Sequence, residues 1–185
     1  MALPLVVQAS LLAVTAAAAL WDQTTGRIPN WLTYPSALLG LGLWTALSGL
    51  PGLGASALGL AAAFVPLLIL HRTGAGLGGG DVKLMGGVGA LAAWPLVIHA
   101  LFYSFIVAAV LGLVMMIWRR QTVATFRRMG RTLKSVLLPG VQVVSPSARE
   151  SILVPFAVCV CLGSAWMLVE VTTSRTLWEL LRGVV

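Results

Sequence analysis

Charge is what this sequence has least of. Only 9% of its 185 residues are Asp, Glu, Lys or Arg, against 59% hydrophobic, and the mean hydropathy is +0.98. A soluble domain carries about 25% charged residues, so a polytopic membrane protein is expected instead. Acids are scarcer than bases, five against twelve, for a net charge of +7. The bases lie between apolar runs. Orientation in an anionic membrane accounts for them, and nucleic acid is not an expected partner. Cysteine is almost missing. Cys159 and Cys161 lie two apart in an apolar run, where a helix points them to different faces, so no internal bridge is expected. There is no Cys-x-x-Cys pair, so no zinc site can be argued, and no metal or cofactor is expected.

What remains is a series of long apolar runs that fit one all-α, membrane-embedded domain over residues 1–185. The first run has neither the basic start nor the small-residue cleavage site of a signal peptide, and reads as a retained helix. Residues 31–70 hold no charge and no histidine. That is twice a span of about 20 residues, and Gly49-Leu50-Pro51-Gly52 reads as the tight turn between two antiparallel helices. Residues 84–118 hold only His99 among ionisable groups and break near Trp94-Pro95, which leaves a short fourth helix. The expected spans are about 3–21, 31–49, 53–71, 82–94, 96–118 and 151–170, six in all. Seven basic residues fall between Arg119 and Arg149, and Val123, Phe126, Leu133 and Leu137 form one stripe among them. A basic amphipathic helix on the membrane surface, about 122–138, is expected there. A short amphipathic tail over 173–183 closes the chain.

The loops after the first, third and fifth spans hold ten of the twelve basic residues, so they are expected in the cytoplasm and both termini outside. The only two aspartates, Asp22 and Asp81, then stand at the same membrane boundary. An acid at a membrane helix end is costly to desolvate and is a functional candidate by default. Two facing carboxylates can share one proton, the ionised one taking a proton from water and the protonated one donating to a carbonyl oxygen. That is amide hydrolysis without a metal or a covalent nucleophile. The glycines before Asp81 permit backbone conformations closed to other residues and let an extended substrate approach the main chain. Taken alone, each acid also reads as an interfacial or capping residue. Asn30 is placed to cap the second helix. Lys83 reads as an interfacial anchor or pKa modulator, and His99 as a packed polar residue.

Three stretches carry a resemblance. They are Gly78-Gly79-Gly80-Asp81-Val82-Lys83-Leu84, then Asp22 with Arg27-Ile28-Pro29-Asn30-Trp31-Leu32-Thr33, and Val154-Pro155-Phe156-Ala157 with Gly163. The sequence resembles the type IV prepilin peptidases, bacterial membrane aspartyl proteases with a Gly-x-Gly-Asp motif. The resemblance implies a leader peptidase of the cytoplasmic membrane, acting on a prepilin or pseudopilin at the cytoplasmic face. Asp22 and Asp81 would be catalytic. Gly78, Gly79, Gly80, Lys83, Arg27, Pro29 and Asn30 would form the active-site loop or contact substrate. Longer members carry an N-terminal segment with paired Cys-x-x-Cys motifs, associated with methylation of the product. This sequence lacks it and is similar to the short tight-adherence (Flp) peptidases, so hydrolysis without methylation is expected. The alternatives are another intramembrane aspartyl protease, of preflagellin or signal-peptide type, and a non-enzymatic proton-coupled transporter. A transporter usually shows an internal repeat and acids near mid-membrane, and the sequence shows neither.

Overall fold

A computed structural model describes residues 3–73, 77–118 and 155–182. The regular elements among them are all helices: α1 (Leu5–Thr25), α2 (Asn30–Arg72), α3 (Gly79–Ala92), α4 (Leu96–Trp118) and α5 (Phe156–Arg182). They fall in two compact units. The larger comprises residues 1–107 and 155–185, and of the smaller, 108–154, the end of α4 is described.

Helix α1 stops at Gly26, whose left-handed backbone (φ 64°, ψ 18°) returns its N–H to the Asp22 carbonyl. Glycine takes that conformation without the Cβ clash that other residues meet. Helix α2 is one element of 43 residues, but Gly49 inside it is not helical (φ 63°, ψ −146°). The two arms on either side of Gly49 run in opposite directions along α3. From its start to its end, α3 meets Ile28, Ser36 and Gly40 of the ascending chain, and His71, Phe64 and Gly59 of the returning one. The expected turn at Gly49–Gly52 is therefore present as a fold-back at Gly49, with residues 50–52 already helical.

Helix α3 is the centre of the larger unit. Val82 and every residue from Leu84 to Ala92 are buried. Its glycines allow this. A Cβ on Gly59 or Gly89 would strike the backbone of the facing helix, and one on Gly87 would strike Ser36. Small residues at such crossings let helices pack closely where the solvent is lipid and burial gives little net drive. The last carbonyls of α3 lack intrahelical donors, and α2 supplies them. Trp44 Nε1 donates to the Leu91 carbonyl (2.9 Å) and Ser56 Oγ to the Ala90 carbonyl (2.7 Å). Such interhelical bonds are worth roughly 0.6 kcal/mol each in a membrane protein.

The expectation of six spans is met only in part. Among the described residues, four helices are long and apolar enough to cross a membrane: Leu5–Thr25, Asn30–Arg72, Leu96–Met115 and Phe156–Thr173. Helix α3, with 14 residues, falls short of the roughly 17 that a crossing needs, and it is enclosed by protein instead. It also begins at Gly79 rather than near 82. The expected tail is no separate element, because α5 continues to Arg182. The surface helix expected over 122–138 lies outside the described residues. His99 is exposed on α4 rather than packed.

Candidate active site

Asp22 occupies the last turn of α1, because that helix runs on to Thr25 before Gly26 ends it. Its carboxylate accepts the backbone N–H of Ala157, which belongs to the first turn of α5. The first N–H groups of a helix have no partner within it and favour negative charge nearby. Pro155 precedes that turn, and its carbonyl accepts the N–H groups of Val158 and Cys159.

Asp81 is the third residue of α3. Its Oδ2 accepts the Gly78 N–H (3.2 Å) while its own N–H donates to the Gly78 carbonyl (3.1 Å). This is the reach-back half of a capping box, and Gly78 has no side chain to complete the other half. A Cβ on Gly78 would lie 2.9 Å from Asp81 Oδ2, so the missing side chain leaves room for the carboxylate.

Three elements meet here. Burial pushes the Asp81 carboxyl up to about 6, the Gly78 N–H opposes this, and the nearby charge of Asp22 adds to the rise. Cys159 of α5 lies within electrostatic reach of Asp81. The charge of Asp22 thus reaches Asp81. Among the described residues no lysine or arginine pairs with either of them, and no group of three His, Cys, Asp or Glu side chains could hold a metal ion.

The glycines are not a loop, as the sequence reading had them. Gly78 is the extended residue before the helix (φ −70°, ψ 143°), and Gly79 and Gly80 form its first turn. Neither backbone strain nor positive φ explains them, since the positive-φ glycines among the described residues are Gly26 and Gly49. Close approach accounts for Gly80, where a Cβ would lie 3.2 Å from Ile28 Cβ, whereas one on Gly79 would meet the His71 ring at an ordinary 3.6 Å.

The remaining candidates lie on the segment between α1 and α2. Arg27 is exposed, and its carbonyl accepts Thr25 Oγ1 (3.0 Å). Pro29, not Asn30, precedes α2 as its cap, with no side-chain capping bond. The Pro29 carbonyl accepts the N–H of Leu32 (3.1 Å) and of Thr33 (3.4 Å). Asn30 Oδ1 is committed to Lys83 Nζ at 2.8 Å, and the same ammonium sits 5.2 Å from the centroid of the Tyr34 ring. Lys83 is not among the groups that shift Asp81, so the modulator role finds no support. The sequence reading assigns Ala157 and Cys159 no place in the site, although both lie in stretches it singles out, and Tyr34 carries no signal there. A proline before an apolar run is a helix-start signal, and Pro155 could have shown that a helix begins there, though not what it faces.

Compared with known families, residues 9–113 match the model of the type IV leader peptidase family. The match covers more than half of the chain and both aspartates. No curated protein and no solved structure matches.

Proposed function

Since the chain belongs to the type IV leader peptidase family, we propose that it is a membrane aspartyl endopeptidase that removes leader peptides from type IV prepilins or pseudopilins. The observation that carries this reading is that the charge of Asp22, at the end of α1, acts on Asp81, at the start of α3. The excess of basic residues in three loops supports a site at the cytoplasmic face of a bacterial inner membrane.

The chemistry follows from the unequal surroundings of the two acids. Asp81 is the one whose proton is hard to remove, because burial and a neighbouring negative charge both disfavour its ionised form. It holds the shared proton, and Asp22, supported by the Ala157 N–H, is the carboxylate. Asp22 takes a proton from water as the water oxygen bonds to the scissile carbonyl carbon, and Asp81 gives its proton to the carbonyl oxygen. The tetrahedral diol then collapses. The carbon–nitrogen bond breaks, Asp22 returns its proton to the leaving nitrogen, and a diol hydroxyl re-protonates Asp81.

The test is incubation of the purified protein, in detergent, with a prepilin, reading leader loss by mass. Wild type should cleave, and Asp22→Asn and Asp81→Asn should not. An intact substrate with wild type, or normal turnover in either variant, would overturn the reading.

A further inference from the structure

The residues on either side of Asp81 hold the same short segment. Gly80 packs on Ile28, and Lys83 Nζ donates to Asn30 Oδ1 at 2.8 Å while lying over the Tyr34 ring. That segment is the direct continuation of the helix carrying Asp22. Its Gly26 N–H bonds the Asp22 carbonyl at 2.8 Å, and Trp21 and Trp31 close it edge-to-face at 5.3 Å between centroids. The helices of the two acids are therefore joined through residues 26–31, docked on α3 at two points. We propose that Lys83 is a positioning residue. Its bond to Asn30 clamps the segment after Asp22 onto α3 and so sets the distance between the two carboxyl groups.

A substrate-binding role is the competing assignment, and the geometry weighs against it. Two positions along a helix turn the side chain about 200° from Asp81, so the ammonium faces away from the reacting atoms. Its contacts are Asn30 and Tyr34. An exposed bond of this kind adds little to stability. Its loss still matters for catalysis, since a displacement of about 1 Å at a reacting group costs on the order of a hundredfold.

The inference rests on the peptidase reading, and a double-mutant cycle separates the two. Lys83→Met, Asn30→Ala and the double variant are assayed for prepilin cleavage in detergent. Each single change should lower kcat by roughly ten- to a hundredfold with KM held within about twofold. The double variant should be no worse than the singles, because residues acting through one bond are non-additive. Lys83→Arg, which can reach Asn30 and stack on Tyr34, should recover part of kcat. A rise in KM at constant kcat, or additive losses, would overturn the clamp. Should wild type leave the prepilin intact, the peptidase reading fails by itself. Infrared titration of the carboxyl groups in the same four proteins then decides the clamp: an equal fall of the Asp81 titration in all three variants, as Asp22 moves away from it, supports it, and an unchanged titration refutes it.

Discussion

The group proposed as the acid should weaken the fold. The Asp81 carboxyl is raised from 3.8 to about 6, first by burial. The folded state therefore binds the proton more tightly than the unfolded chain does. Below about pH 4 both states are protonated and the group is neutral to stability. As pH rises through the window between about 4 and 6 the unfolded state releases its proton first, and stability falls. Above about 6 the loss is complete. The shift of about two units corresponds to roughly 3 kcal/mol at most, taken at 1.36 kcal/mol per unit. Asn at this position carries no charge, and its amide oxygen can still accept the Gly78 N–H.

Asp81→Asn should therefore be more stable than wild type at pH 8, by up to about 3 kcal/mol, or several degrees of melting temperature in mild detergent. Near pH 4 the difference should vanish. Melting both proteins from pH 4 to 8 gives the comparison, and cleavage assayed in the same samples should be absent in the variant throughout. A variant that melts at or below wild type at pH 8 would refute the argument. It would mean that the carboxyl is solvated, or that its bond to Gly78 outweighs the burial.

Further outcomes can be measured with the same material. Asp22→Asn and Asp81→Asn should each nearly abolish cleavage, and the double variant should be little worse, since groups working as one unit are non-additive; additive losses would argue against a shared proton. Glu at either position should be poor, because one methylene displaces the carboxyl by about 1 Å, a hundredfold-scale error; this is read as kcat at matched expression. Gly80→Val should lower cleavage more than it lowers membrane expression, because its Cβ would lie 3.2 Å from Ile28; undiminished cleavage would remove the close-approach argument. In a pH profile of kcat/KM the basic limb should fall near 6, where Asp81 loses its proton; a limb beyond pH 8 would place the proton elsewhere.

The spanning helices were legible because lipid as solvent imposes one crude requirement, about 20 apolar residues in a row. The turn at Gly49 was legible because a Gly-Leu-Pro-Gly run interrupts forty uncharged residues. The start of α3 was not. Three successive glycines read as a loop by propensity, but Gly79 and Gly80 are helical, since the bond from Gly78 to Asp81 and the packing on Ile28 and His71 override that preference. Asn30 was expected at a helix cap on residue type alone. Its amide oxygen is instead committed to Lys83, far away in the chain, and local capping rules carry no information about a partner at that distance.

The site divides in the same way. Counting charges leads to the expectation of one boundary for Asp22 and Asp81, because orientation rules act on whole loops. What counting could not supply is the asymmetry between two chemically identical side chains. That asymmetry comes from surroundings without a residue-type signature: each carboxylate accepts one backbone N–H, from Ala157 for Asp22 and from Gly78 for Asp81, but Asp81 is the more deeply buried and feels the charge of Asp22. The glycines then take on a reason beyond flexibility. Gly78 leaves space for the Asp81 carboxylate, and Gly80 lets the segment that follows Asp22 approach α3. A side chain at either position would press on one acid's carboxylate or on the tether of the other. In this arrangement Gly78 and Gly80 act as a packing device that makes room for the Asp81 carboxylate and for Ile28 beside it.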